Sequence, residues 1–257
     1  MNRPLVLYEA ADRIAVLTLN HPEKRNALSR AMLEALRDHL EQIGNNKNIA
    51  IVILGAAGPV FSSGHDLREL ENPAETECAT LFGLCTGVME AIRLLPQPVI
   101  AQVQGLATAA GCQLAATCDL VVASEEASFA TPGVKIGLFC TTPAVALVRA
   151  VQPKKALEML FTGRPISAAE AERVGLVNKV VPAGRLAEET MALARQILTA
   201  SRTVVALGKR AFYEQLPLDR PDAYDLAQGV MVANALGPEA KDGIGAFLAK
   251  RAPRWPA

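Results

Sequence analysis

Aromatic residues make up only 4% of the 257-residue sequence, and no charge of one sign dominates it. Lys and Arg together number 26 and are balanced by 26 Asp and Glu residues, so the formal net charge is zero. Proteins that bind nucleic acids need a basic excess for phosphate contacts, and single-strand binders also need aromatic stacking platforms. We therefore expect no nucleic-acid partner.

Long apolar runs are also missing, although 51% of the residues are hydrophobic. No uninterrupted run approaches the roughly 18 apolar residues that suggest a transmembrane helix. Residues 1–6 lack the apolar stretch and cleavage region of a secretory signal. A charged fraction of 20% fits a globular chain that can bury a sizeable core. We expect a soluble, cytoplasmic protein with no membrane partner.

Metal-ligating residues are sparse. The five cysteines form no CxxC pair, and the three histidines form no HExxH or His-x-His group. An odd number of cysteines in a chain of this size indicates reduced, mostly buried thiols rather than a disulfide framework. We expect no metal site.

Strands alternate with helices along the first 181 residues, which predicts an α/β fold with largely parallel strand pairing. The predicted elements are strand 13–19, a helix from Ser29 to about Gly44, strand 49–54, a helix carrying Leu81 to Leu95, strand 99–103, helix 107–116, strand 120–123, a short helix from Ser167 and strand 176–181. From about residue 184 onward the pattern is helical only. That end is either an appendage or an oligomerisation element.

Two segments rich in small residues follow predicted strands, and these are the best candidates for a site. One is 61–67 and the other is 105–113. Ligands of open α/β sheets usually bind beyond the carboxyl ends of strands, and small residues let a ligand approach the backbone closely. The second segment also opens a helix, whose first amides are unpaired. Two such amides aimed at one point would form an oxyanion hole; the alternative is ordinary turns with close helix packing.

These segments, with several others in the same order, resemble the crotonase, or enoyl-CoA hydratase/isomerase, superfamily over essentially the full length of the chain. The matching segments are 25–28, 61–67, 105–113, 118–120, 161–163, 175–177 and 247–251. The resemblance implies a spiral of ββα units with a C-terminal helical region. Residues 1–195 would form the core with its acyl-CoA pocket. Residues 196–257 would form the helical region that serves oligomerisation and coenzyme A contact, in a homotrimer or a hexamer.

The resemblance also implies a protein of fatty acid metabolism and gives roles to individual residues. The backbone amides of His65 and Ala110 would form the oxyanion hole around a thioester carbonyl. Seven residues match positions that line the coenzyme A channel in the family. They are His65 and Ala110 together with Arg25, Ala27, Asp66, Leu67 and Arg68. Phe247 and Lys250 match a segment that reaches the nucleotide end, commonly from a neighbouring subunit. The alternative for each cation is a solvated surface charge. No cofactor would be bound permanently, because coenzyme A arrives as part of the substrate.

The sequence departs from the family at both catalytic glutamates. Hydratases of the family use two, and Gln113 and Gly133 stand at their positions. General acid–base catalysis contributes about 10²- to 10⁴-fold per group, so hydration should be very slow. The imidazole of His65 is one candidate substitute, and the alternative is that it simply points outward. Cys140 or Thr141 is another, but packing around a helix start is the favoured interpretation of that pair. Gln113 can hold a water or a polar acyl group, or can simply pack.

An oxyanion hole without a carboxylate pair suits other reactions. Loss of carbon dioxide from a malonyl-type thioester forms the enolate without a base, and residues 64–66 resemble the corresponding loop of methylmalonyl-CoA decarboxylases. A double-bond shift needs a single proton shuttle, for which His65 is available. The chain is therefore expected to be an acyl-CoA enzyme that stabilises an enolate. Alternatives are a non-catalytic acyl-CoA sensor and, more weakly, a structural assembly protein.

Overall fold

The computed structural model describes residues 3–255, which form two β-sheets covered by helices. The strands in chain order are β1 Val6–Ala11, β2 Ile14–Leu19, β3 Ile51–Ala56, β4 Val60–Ser62, β5 Val99–Val103, β6 Leu106–Thr108, β7 Leu120–Ser124, β8 Ser128–Ala130, β9 Ile166–Ser167 and β10 Lys179–Val181. The larger sheet has the order β1-β2-β3-β5-β7-β10, and the smaller has β4-β6-β8-β9. The predicted α/β class with mainly parallel pairing is confirmed: within residues 3–255, only β1 and β9 pair antiparallel with a neighbour.

The helices cover both faces of the larger sheet and form the C-terminal region. They are α1 Arg30–Gly44, α2 Glu75–Leu94, α3 Ala110–Thr117, α4 Thr141–Ala150, α5 Pro153–Thr162, α6 Ala168–Arg173, α7 Leu186–Leu198, α8 Arg202–Gln215, α9 Arg220–Ala235 and α10 Pro238–Leu248. Short 3₁₀ turns lie at Pro22–Lys24, Leu67–Leu70, Pro132–Ile136 and Ala183–Arg185. The Ser29 hydroxyl accepts a hydrogen bond from Met32 N at 3.3 Å, which confirms the predicted start of α1.

Strand β3 explains why one segment is apolar without alternation. Val52 and Leu54 belong to the main core beneath α1 and α2, whereas Ile51 and Ile53 belong to a second core under α7. A strand of a parallel sheet buried on both faces requires apolar residues at every position. The larger sheet is therefore a middle layer between these two cores.

Two predicted boundaries were wrong for identifiable reasons. Residues 106–108, which were expected to be mainly helical, form β6 because they pair with β4 and β8 in the smaller sheet. The strand expected from residue 176 begins at Lys179, because the Asn178 side chain accepts a hydrogen bond from Val121 N at 2.7 Å and ends the preceding turn. Strands β1, β4, β8 and β9 and helices α4 and α5 were not predicted.

The C-terminal region is helical from α7 to α10, as expected, and α7 spans the predicted boundary between residues 195 and 196. Helix α8 is fixed to the core by Lys209, whose ammonium donates to Asp119 Oδ2 at 2.6 Å and to the carbonyls of Ile92 and Gln97. The five cysteines are free thiols, and four of them are buried. Among residues 3–255, every helix is too short or too polar to cross a bilayer.

Candidate active site

The segment that follows β4 is held by the turn before α1. The Ser62 hydroxyl donates to Asn26 O at 2.9 Å, Ser63 N donates to Arg25 O at 3.0 Å, and Leu28 N donates to Gly64 O at 2.8 Å. Asn26 is completely buried and adopts φ 50°, a left-handed conformation that asparagine tolerates. Its side chain accepts from His21 N and donates to Ala57 O and Val60 O. The segment carrying His65 is therefore a rigid platform.

The same segment packs directly against the first residue of α3. A β-carbon placed on Gly64 would lie 2.8 Å from the Ala109 β-carbon, 3.0 Å from Thr108 O and 3.1 Å from Ala110 N. Gly64 also has φ +83°, which other residues rarely adopt. Gly64 and Ala110 are 46 residues apart in sequence but lie close together, and only glycine fits at position 64.

Ala109 is the most strained residue at this junction. It has φ 51° and ψ −121°, a backbone conformation that an alanine adopts only when its surroundings enforce it. Its N–H donates to Ala130 O at 2.9 Å, which anchors the turn to β8. Strain of this kind, of order 1–3 kcal/mol, concentrates at functional sites. The result is a helix start whose first amide faces the Gly64 segment.

Neither His65 N–H nor Ala110 N–H donates to a protein acceptor within residues 3–255. The Ala110 amide is one of the unpaired amides at the positive end of α3. Because His65 directly follows Gly64, the structure brings together the two residues that were predicted to form an oxyanion hole. The role itself stays a prediction.

The His65 side chain is half-buried and held at two points. Its Nδ1 lies 3.2 Å from Leu28 O, and its ring meets the Phe82 ring edge-on with centroids 5.3 Å apart. Burial lowers the pKa of His65 below its ordinary value of about 6.5, although the Leu28 carbonyl and the Glu69 carboxylate act in the opposite direction. The ring nitrogen Nε2 is buried and, in the described residues, has no hydrogen-bond partner.

The two positions expected to replace the family's glutamates differ in what they allow. Gln113 lies one helical turn after Ala110, is buried, and its Oε1 accepts no hydrogen bond within the described chain. Gly133 is in the 3₁₀ turn Pro132–Ile136, where a β-carbon would lie 2.0 Å from Leu138 O and 2.8 Å from Cys140 Sγ. The loop therefore has room for glycine alone, and no side chain fits there without a backbone shift.

The two acidic side chains that follow His65 in the sequence, Asp66 and Glu69, accept hydrogen bonds from the backbone. Asp66 Oδ1 accepts from Arg68 N at 3.1 Å, and the Glu69 carboxylate accepts from Arg30 N at the start of α1. Burial raises the pKa of the Cys140 thiol, so it stays protonated near neutrality. Thr141 is exposed at the start of α4. Residues 3–255 contain no cluster of His, Cys, Asp and Glu that could hold a metal ion.

The predicted coenzyme A residues fall into two places. Arg25, Ala27, Leu67 and Arg68 lie on the two hydrogen-bonded segments around Gly64, where the two arginines and Leu67 are exposed and Ala27 is buried. Phe247 and Lys250 lie at the far end of α10, which packs against α9. Phe247 is 83% exposed. The structure thus groups the first set and leaves the second facing solvent.

Three residues of this site were missed in the sequence. Asn26 and Ser62 hold the Gly64 segment, and an Asn beside a turn was the available signal for a left-handed residue. Ala109 gave no signal, because a positive φ is not expected of alanine.

An α/β protein with two mainly parallel sheets, whose strand-end loops converge on a strained helix start, has a crotonase-like fold, and comparison with known proteins agrees. A family model described as enoyl-CoA hydratase/isomerase matches residues 9–257. The chain belongs to this family.

Individual relatives are similar to this chain over nearly its whole length. A mouse protein named enoyl-CoA hydratase domain-containing protein 3, mitochondrial, is 54% identical over 95% of this chain and 82% of its own length. The crystal structure of the human protein of that name superposes with a TM-score of 0.96 at 53% identity, covering 98% of this chain and 100% of that chain. An enoyl-CoA hydratase from Mycobacterium smegmatis gives a TM-score of 0.96 at 46% identity, covering 98% and 99%.

These comparisons confirm the predicted fold and family. They also correct one prediction. A cytoplasmic location was wrong, because the mouse, rat and human relatives at 54% identity are all named mitochondrial. The composition on which that expectation depended does not distinguish one aqueous compartment from another.

Proposed function

We propose that the protein is an acyl-CoA enzyme that stabilises a thioester enolate between the backbone amides of His65 and Ala110. The observation that carries this proposal is the close approach of Gly64 to the start of α3, where an added β-carbon would lie 3.1 Å from Ala110 N. The two unpaired amides are therefore on adjoining segments. An oxyanion accepts hydrogen bonds from both amides more strongly than a neutral carbonyl does. Each donor contributes about 3–4 kcal/mol to transition-state stabilisation in comparable sites.

Ordinary hydration is not the proposed reaction. Gln113 has no titratable proton near neutral pH, and Gly133 has neither a side chain nor room for one. Asp66 and Glu69 are occupied as backbone caps. Without a carboxylate pair to activate water, the rate of hydration should fall by several orders of magnitude.

Decarboxylation of a malonyl-type thioester is a second candidate. The electron pair of the breaking carbon–carbon bond forms the enolate directly, so no base is required. The lack of a carboxylate at positions 113 and 133 supports this candidate, because decarboxylation needs no base to form the enolate. A non-catalytic acyl-CoA sensor is the outcome to expect if thioesters bind but none is converted.

The coenzyme A portion would lie along Arg25, Ala27, Asp66, Leu67 and Arg68. Exposed arginines suit phosphate groups, which accept paired hydrogen bonds from guanidinium. Phe247 and Lys250 would contact the nucleotide end of the coenzyme A that is bound to a neighbouring subunit in a homotrimer or hexamer. The exposure of Phe247 supports a contact outside its own chain.

The direct test of the hole is a binding comparison. Butyryl-CoA and its thioether analogue S-butyl-CoA differ only at C1, which is a carbonyl group in the thioester and a methylene group in the thioether. We expect the wild-type protein to prefer the thioester by about tenfold in calorimetry, since two hydrogen bonds are added. Ala110→Pro removes one donor and should reduce that preference. Equal binding of both ligands to a folded wild-type protein would refute the hole.

Turnover is tested with crotonyl-, 3-enoyl-, malonyl- and methylmalonyl-CoA, followed by absorbance and product mass. Conversion of malonyl- or methylmalonyl-CoA supports decarboxylation, and conversion of the 3-enoyl thioester supports isomerisation. Conversion of crotonyl-CoA at an ordinary hydratase rate would show that hydration proceeds without the two glutamates, against the proposal. Binding without conversion supports the sensor.

A further inference from the structure

The protonation of the His65 ring is fixed by its surroundings. Nδ1 lies 3.2 Å from the Leu28 carbonyl oxygen, which can only accept a hydrogen bond. The neutral ring therefore carries its proton on Nδ1, and Nε2 presents a lone pair. Such a nitrogen can take up a proton but has none to give.

Nε2 is also left without a partner at a place where that is costly. The atom is buried, and no protein donor reaches it among residues 3–255. Buried acceptors are nearly always satisfied in folded proteins, and an unsatisfied one needs an explanation such as a catalytic role. The edge-on Phe82 ring, with its centroid 5.3 Å from that of the imidazole, packs against the ring that carries this nitrogen.

The position of His65 links this nitrogen to the proposed oxyanion hole. The residue proposed to offer its N–H to the thioester oxygen also carries the ring, so the two groups are separated by the bonds of one residue only. The other candidate proton acceptors of the same loop, Asp66 and Glu69, accept backbone hydrogen bonds instead. Burial also favours the neutral ring, which is the form that accepts a proton.

We infer that His65 is a catalytic base, and that its Nε2 removes a proton from C2 of the bound acyl thioester. The C2–H bond breaks, an N–H bond forms at Nε2, and the electron pair moves into the enolate whose oxygen is held by the two amides. Return of the proton to C2 restores the thioester, and its return to C4 of an enolate conjugated with a double bond shifts that double bond. This inference rests on the proposed function and extends it from stabilising an enolate to forming one.

Deuterium exchange tests the inference without requiring a net reaction. Butyryl-CoA is incubated with the protein in D₂O, and incorporation at C2 is followed by mass spectrometry. We expect exchange with the wild-type protein and a loss of at least about 100-fold in His65→Phe, which keeps the backbone amide. His39→Phe is the matched control, because His39 lies on α1 and stacks on Tyr8 instead. That variant should exchange at the wild-type rate.

The outcomes separate this inference from the proposed function. Absence of exchange in a wild-type protein that still prefers butyryl-CoA over the thioether overturns the base and leaves the hole intact. Exchange that persists in a folded His65→Phe also overturns it. Absence of any thioester preference overturns the proposed function, and the inference with it. A rate that rises with pH to a plateau in the wild type, and loses this inflection in His65→Phe, supports the base.

Discussion

At the scale of single residues, the space around positions 113 and 133 decides which side chains the site can carry. Gln113 and Gly133 both replace residues that resemblance would make glutamates, yet their surroundings differ. Gln113 has a buried side chain that a glutamate matches in shape, whereas Gly133 lies against the Leu138 carbonyl. A glutamate therefore matches the side chain at position 113 in shape, whereas the loop excludes any side chain at position 133.

Gln113→Glu should raise the rate of crotonyl-CoA hydration. The substitution adds a carboxylate one turn from the Ala110 amide, and burial would raise its pKa toward the range where a general base is effective. We expect an increase of at least about tenfold, measured by loss of enoyl absorbance. Exposed Gln196→Glu serves as the control. An unchanged rate in a variant that binds butyryl-CoA normally would mean that this side chain does not face the acyl group.

Gly133→Ala should destabilise the protein by about 3 kcal/mol, because the added methyl group forces the backbone around Leu138 to move. Urea unfolding measures the difference. Gly208→Ala on α8 is the matched control, since no atom lies within 4 Å of its added carbon and alanine favours a helix. That variant should be as stable as the wild type or more stable by up to about 1 kcal/mol. Equal stability of the two variants would show that the loop relaxes freely.

At the scale of elements, long periodic segments were predictable and the small sheet was not. The stripe Leu33, Leu36, Leu40 and Ile43 and the Ser29 cap identified α1, because both signals are local. Strands β4, β6 and β8 have three residues each and exist through pairing with one another, which a local pattern does not contain. The two site segments were recognisable from their small residues. The strain at Ala109 and the crowding at Gly133 were not, since both depend on contacts distant in sequence.

Helix α8 depends on one buried cation. Lys209 donates to Asp119 and to two carbonyls, and Tyr213 and Val99 N also donate to Asp119. Burial lowers the pKa of Lys209, and the Asp119 carboxylate acts against this. Lys209→Met should cost about 3–5 kcal/mol, because it leaves a buried carboxylate without its counter-charge.

The control for Lys209 is Arg210→Met on the same helix. Arg210 is exposed and its nitrogen lies 3.9 Å from Glu214, so its loss should cost less than about 1 kcal/mol. Chemical denaturation of both variants gives the comparison. Similar small losses for the two would indicate that α8 is held by packing alone.

At the scale of the whole molecule, the C-terminal helices carry large apolar side chains that their own chain leaves exposed. They lie on α8, α9 and the turns that follow them: Phe212, Leu216, Tyr224, Met231 and Leu236. Large exposed apolar patches usually mark contacts with other chains. We expect a particle of three or six times the 27.3 kDa chain mass in sedimentation equilibrium, and a smaller particle for Met231→Glu combined with Leu236→Glu. A monomeric wild-type protein would contradict the predicted assembly.

A composite site makes a sharper prediction than assembly alone. If Lys250 of one subunit contacts the coenzyme A whose thioester is bound in the hole of another, each site draws its two halves from two subunits. Ala110→Pro then damages the half that carries the hole, and Lys250→Glu damages the half that carries the lysine. Unfolding and refolding the two variants together at equal amounts would restore about a quarter of the sites, because an intact site then draws each half from an undamaged subunit. Regained tight binding of butyryl-CoA, with its preference over the thioether, measures this fraction. If both residues served the same chain, every site would keep one lesion, and mixing would restore nothing.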